Sequence, residues 1–203
     1  MTATPAAKFN LPMQLTLARL IAGPIIAALV LWANAEMFAG GPALSGLLYA
    51  GAALLFALAA LTDWLDGALA RRMNAVSTQG AALDHVADKV LVALTLGALA
   101  YAALPLDLVI AALVLIGRDL AVAGLRESAA GQGKPVPVDA YGKIKAAAAM
   151  AGVAAFLFYQ AAGLLGAGVF VLEALIWIAR TLLWTAAALA LWSGARYARA
   201  ALG

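Results

Sequence analysis

"TDWLDGALARRMNAVSTQGAALDHVADK", residues Thr62–Lys89, gathers Asp63, Asp66, Asp84 and Asp88 into one short stretch of an otherwise oily chain. Of the 203 residues, 66% are hydrophobic and 11% are charged, where a soluble domain has about 25% charged. The mean hydropathy is +0.98. A chain of this length cannot hide so much apolar surface in a core, so lipid must act as part of its solvent.

Working outward from the aspartates, six apolar runs of about 20 residues stand out. They are Met13–Trp32, Ala43–Leu69, Ala81–Ala103, Leu106–Leu125, Tyr141–Leu164 and Val169–Trp192. "AGGP" and "ALPLD" interrupt the pattern between the first and second and the third and fourth runs, as glycine and proline do. These runs predict an all-α integral membrane protein of six transmembrane helices, with residues 1–203 forming a single membrane domain. The chain has no cysteine, which excludes disulfides and thiolate metal sites. Lys8, the first apolar run and "ANA" at Ala33–Ala35 resemble a secretory signal. That run is too long for a signal core, however, and it carries Arg19 and Pro24.

The basic residues orient the spans. Lys8 precedes the first, Arg71 and Arg72 follow the second, and Arg126, Lys134, Lys143 and Lys145 lie around the fourth and fifth. Arg196 and Arg199 close the chain, while Glu36, Asp107 and Glu173 sit near the three remaining loops. The positive-inside rule places both termini in the cytoplasm, together with the loops after spans two and four. All four aspartates then face the cytoplasmic side.

On helices, Asp63 and Asp66 are i,i+3 neighbours and Asp84 and Asp88 are i,i+4 neighbours, so each pair shares a face. The short link at Asn74–Gln79 predicts that spans two and three run antiparallel, side by side, bringing the pairs together. Clustered carboxylates repel one another, and membrane depth raises the cost of each charge. They could cap helix ends or pair with Arg71, Arg72 and Lys89, or serve a cation pathway. Oxygen-only ligands point instead to Mg²⁺ or Mn²⁺, and two such ions suit a clamp on a transferring phosphoryl group. Gly67, Ala70 and Gly80 add small residues beside the acids, which allow close approach of a ligand or of another helix. Arg71 suits phosphate or a membrane-edge anchor.

Written as Asp63-x2-Asp66-Gly67-x2-Ala70-Arg71-x8-Gly80-x3-Asp84-x3-Asp88, the stretch resembles the signature of the CDP-alcohol phosphotransferase family at every fixed position. The six-span layout is similar to that family along the whole chain. The resemblance implies that a CDP-linked donor gives its phosphoryl-bearing part to an alcohol and that CMP leaves. It implies that Asp63, Asp66 and Asp84 hold one metal ion, and that Asp63, Asp84 and Asp88 hold a second. Asp88 matches the general base. Thr16, Gly67, Arg71 and Ser77 match donor-contacting positions, with Ala70 and Gly80 the small residues of the same donor motif. A homodimer in a bacterial cytoplasmic membrane, with its site facing the cytoplasm, is also implied. No nucleic-acid partner is expected.

"NLPMQLTLAR" (Asn10–Arg19) and "GRDLAVAGLRESAAGQGKPVPVDAYGKIK" (Gly117–Lys145) resemble the branch of that family using CDP-diacylglycerol and glycerol 3-phosphate. Arg118, Arg126 and Lys143 are the candidate contacts for a dianionic acceptor. Arg118 could equally pair with Asp119. Lys134 and Lys145 read as ordinary cytoplasmic charge. His85, Ala146, Ala149 and Met13 depart from the branch, which leaves phosphatidylglycerol or an inositol phosphate as other acceptors. Arg19 either reaches the site or snorkels, and Arg180 has Glu173 as a conceivable partner. The last span carries no recognisable motif.

Overall fold

The computed structural model describes residues 11–73, 78–131 and 140–202, with side chains described except at 11–12, 63–73, 78–82, 84–85, 129–130, 140 and 200–202. Six helices follow in order: α1 (Leu11–Phe38), α2 (Pro42–Met73), α3 (Thr78–Ala102), α4 (Leu106–Gly131), α5 (Ala140–Leu164) and α6 (Val169–Leu202). Each matches one of the expected spans, α3 ending one residue short of its own. Several overshoot them, α6 most clearly, since nothing in Ser193–Leu202 breaks a helix. Its 34 residues extend about 51 Å, well beyond the roughly 30 Å hydrocarbon core.

Two of the turns have a specific chemical cause. At the end of α1, Gly41 N–H donates to Glu36 O and Gly40 N–H to Met37 O, with Gly40 at φ 86°. This is a Schellman closure, whose left-handed residue favours glycine. At the end of α5 the same pattern recurs, with Ala167 N–H donating to Ala162 O and Gly166 at φ 82°. Pro42 then opens α2, where a missing N–H costs nothing.

The outside of the bundle is oily and much of the inside is small. Ile21, Leu54, Leu113, Phe170 and Trp192 are exposed, whereas Ala33, Ala52, Ala111, Ala179 and Ala186 are fully buried with Phe56, Val153 and Leu183. Lipid solvates the exposed set, and small interior residues let helix backbones approach closely. A Cβ on Gly152 would stand 2.8 Å from Leu183 Cγ, and one on Gly23 3.3 Å from Leu91 Cα. These glycines mark close approaches of α5 to α6 and of α1 to α3. Among the described residues, α1, α2, α4, α5 and α6 are each long and apolar enough to cross a membrane. The chain is an integral membrane protein. The exception among the six helices, α3, carries Asp84, Asp88 and Lys89 in its first half.

The expected side-by-side pairing of spans two and three is replaced by a different arrangement. Along the described residues α1 packs extensively on both α2 and α3, and those two share no extensive contact. Small and β-branched residues on α1, among them Ala22, Gly23, Ile26 and Val30, supply the surface for this. α5 joins α2 to α6, and α4 closes against α6. Arg180 on α6 is also placed by packing: it pairs with Asp107 of α4 at 3.1 Å rather than with Glu173. Glu173 lies about 10 Å away along the same helix axis.

Candidate active site

A cavity of about 950 Å³ opens between α2, α3, α4, α5 and α6. On one side it is bounded by Ala57, Ala60 and Leu61 of α2 and by Asp88, Lys89 and Val92 of α3. On the other stand Arg118, Asp119 and Arg126 of α4, Lys143 and Lys145 of α5, and Ser193 and Tyr197 of α6. Although α2 and α3 share no extensive contact along the described residues, both contribute to the wall of this one space.

Asp88 is the motif carboxylate whose side chain is described. It forms an ion pair with Arg19 of α1. Arg19 is 1% exposed and Asp88 22%, so the arginine supports Asp88 from behind while the carboxylate borders the cavity. A guanidinium buried at membrane depth needs such a partner. One turn earlier on α1, Thr16 is buried as well. The side chains of Asp63, Asp66, Asp84, Gly67, Ala70, Arg71 and Gly80 lie outside those described, and Ser77 lies outside the described residues altogether. Asp63 and Asp66 are nonetheless on α2 just beyond Leu61, and Asp84 is one turn before Asp88 on α3. An all-oxygen donor set, such as these four aspartates would supply, suits a hard divalent ion. Among the described residues no three such ligands are grouped.

The opposite wall is basic and cross-linked. Lys145 Nζ donates to both Asp119 oxygens, at 2.6 and 2.7 Å. Arg118 Nη1 donates to Asp119 Oδ1 at 3.0 Å, its Nη2 to Ser193 Oγ at 2.8 Å, and its Nε to the Ala190 carbonyl at 3.1 Å. Arg126 stacks over the Tyr197 ring, 5.5 Å from its centroid. Lys143 is exposed, and neither it nor half-buried Lys89 has an ion-pair partner among the described residues.

Of the three residues assigned to an acceptor from sequence, all line this cavity. Arg118, however, spends a donor from each of its three nitrogens on protein partners, taking the Asp119 pairing as one of them. Lys145 differs from its reading as ordinary loop charge: it is 7% exposed and bound to Asp119. The reason is helical phase. α5 begins at Ala140, and residues two apart face opposite ways. Lys143 is therefore exposed at the edge of the cavity, while Lys145 is buried in the bundle. Ala146 and Ala149, two of the departures from the branch pattern, also lie on the cavity wall. Sequence reasoning missed the contribution of α6 to the site. Ser193 and Tyr197 carried no motif, and only the overshoot of this helix brings them to the site.

A family model for CDP-alcohol phosphatidyltransferase matches residues 9–192. A Bacillus subtilis (strain 168) protein named CDP-diacylglycerol–glycerol-3-phosphate 3-phosphatidyltransferase is 39% identical over 157 residues, 75% of this chain and 78% of its own. An Escherichia coli (strain K12) protein of the same name is 36% identical over 200 residues, 96% of each chain. One from Salmonella typhimurium is 36% identical over 198 residues, covering 97% of each.

Proposed function

The chain belongs to the CDP-alcohol phosphatidyltransferase family, and we propose that it transfers a phosphatidyl group from CDP-diacylglycerol to glycerol 3-phosphate, releasing CMP. The observation that carries this reading is one cavity bordered by Asp88 on one side and by Arg118, Arg126, Lys143 and Lys145 on the other. The first suits a metal-bound pyrophosphate, the second a dianionic acceptor.

In this reading the acceptor's hydroxyl oxygen attacks the phosphorus that bears the diacylglycerol. The bond from that phosphorus to the CMP oxygen breaks, and the hydroxyl proton passes to Asp88. A carboxylate beside cations is a weak base, so Asp88 contributes mainly by holding the hydroxyl in line. Arg19 fixes the direction of that carboxylate. Asp63, Asp66 and Asp84 would hold one Mg²⁺ or Mn²⁺, and Asp63, Asp84 and Asp88 a second. The chemistry supplied there is neutralisation of the pyrophosphate and of the departing CMP. Thr16, Gly67, Ala70, Arg71, Ser77 and Gly80 bind the donor, and Arg126 and Lys143 meet the acceptor phosphate with Arg118 behind them. The distribution of Lys and Arg puts this site on the cytoplasmic side, with the donor's acyl chains remaining in lipid. The working unit is a homodimer.

CMP release by the purified protein in detergent tests this, with CDP-diacylglycerol, Mg²⁺ or Mn²⁺, and one acceptor at a time. Release with glycerol 3-phosphate and not with phosphatidylglycerol or an inositol phosphate is the expected result. Release only with another alcohol overturns the acceptor and leaves the reaction class standing.

A further inference from the structure

Asp119 is a carboxylate in a wall otherwise set up to attract anions. Among the described lining residues the cavity carries Lys89, Arg118, Arg126, Lys143 and Lys145 against Asp88 and Asp119, and Asp88 is paired with Arg19 of α1. A negative charge beside an anion site weakens binding unless it does something else. What Asp119 does is visible in its bonds. Both oxygens accept from Lys145, and one also accepts from Arg118. Arg118 is fastened in turn to Ser193 and to the Ala190 carbonyl on α6. Gly194 leaves room for this, since a Cβ there would meet Arg118 Cγ at 3.1 Å. The chain of contacts runs from α6 through Arg118 and Asp119 to the Lys145 ammonium on α5. An ammonium has three donors, and Asp119 takes two, leaving one on a residue that borders the cavity.

We propose that Asp119 is a positioning residue for acceptor selection: it holds the Lys145 ammonium in a fixed place on the cavity wall, braced through Arg118 against α6, and so presents a preset cation to the acceptor's phosphate. This rests on the acceptor-side reading of the basic wall given above. A lysine side chain is flexible and strongly hydrated, and anchoring it in advance removes the ordering cost from the binding step. Asp119 itself touches no substrate. Its influence reaches the acceptor through Lys145.

The test is steady-state CMP release with each substrate varied in turn, for wild type, Asp119→Asn, Asp119→Glu, Lys145→Gln and the Asp119→Asn/Lys145→Gln double variant. In Asp119→Asn the apparent KM for glycerol 3-phosphate should rise about tenfold, the scale of one charged hydrogen bond. KM for CDP-diacylglycerol should stay within about twofold, as expected for a contact confined to one substrate. The double variant should be no worse than Lys145→Gln alone, because Asp119 acts through that lysine. Asp119→Glu keeps the charge, so its acceptor KM should fall between wild type and Asp119→Asn. Should Asp119→Asn fail to fold, the double variant, which removes the Lys145 charge together with that of Asp119, and Asp119→Glu still decide the matter. A double variant clearly worse than Lys145→Gln, or an acceptor KM in Asp119→Glu as high as in Lys145→Gln, overturns the proposal. Equal rises in both KM values would likewise reduce Asp119 to a packing role. Wild type inactive with glycerol 3-phosphate removes the acceptor reading and this inference with it, whereas active wild type with unmoved variants removes this inference alone.

Discussion

Two carboxylates border the same cavity under opposite charge conditions. Asp88 on α3 is held by one arginine reaching across from α1. Asp119 on α4 is held by a lysine from α5 and an arginine on its own helix. The first has three further aspartates within the neighbouring sequence. The second stands among cations that satisfy it completely. In the proposed mechanism added cations would occupy the first, whereas the second, held by Lys145 and Arg118, is part of the frame. On that proposal, identical chemistry is divided into a reactive role and a structural one.

The sharpest way to break that comparison is at Asp88. Asp88→Asn should lower kcat for CMP release by about 10³-fold, in the range seen for loss of a general acid or base, with the protein still eluting as a folded species in detergent. Activity near wild type would mean that Asp88 is a frame residue like Asp119. Removal of divalent ions by a chelator should also abolish release, and Mg²⁺ or Mn²⁺ should restore it. Persistence of activity in chelator would remove the metal assignment from the α2–α3 side.

Arg19 offers a stability readout. Arg19→Met leaves the Asp88 carboxylate without its buried counter-charge and should cost about 3–5 kcal/mol, seen as a lower melting temperature in detergent. Part of that loss should return on adding Mg²⁺ if cations then occupy the site. A melt unchanged from wild type would show that Arg19 is not what balances Asp88.

Smaller effects should follow away from the cavity. Gly152→Ala drives a methyl against Leu183 and should destabilise the α5–α6 contact by about 1–3 kcal/mol. At Gly97 an added Cβ would meet no atom within 4 Å, so Gly97→Ala should be neutral or stabilising by up to about 1 kcal/mol. Paired melts of the two variants would show whether tight packing or helix propensity dominates. Smallest of all, Arg180→Gln breaks a half-exposed pair with Asp107. It should change stability by no more than about 1 kcal/mol and leave CMP release unaltered.

Legibility differed between the two walls for a physical reason. Asp63, Asp66, Asp84 and Asp88 fall within two helix ends and one short link, so helical periodicity alone grouped each pair. The basic wall is assembled from Arg118–Arg126, Lys143–Lys145 and Ser193–Tyr197, which approach only once α4, α5 and α6 have packed. Lys145 looked like any loop lysine until the start of α5 fixed its phase. Ser193 and Gly194 had no chemical mark at all. Arg118 was the partial exception, since an arginine among apolar neighbours already demanded a partner.

The sequence by itself determined the membrane environment, six helices with their Gly and Pro breaks, the carboxylate motif and the family resemblance. All of these depend on composition or on spacings within one or two helices, where local geometry is fixed in advance. Which helix stands beside which was left to tertiary structure. Small residues on α1 drew it against both α2 and α3, where sequence alone had paired α2 with α3 directly. Packing likewise chose Asp88 as the partner of Arg19, Asp107 as that of Arg180, and Asp119 as that of Lys145. In lipid, apolar helices gain little by choosing one neighbour over another on hydrophobicity. Steric fit and the pairing of a few buried charges decide instead, and both exist only in three dimensions.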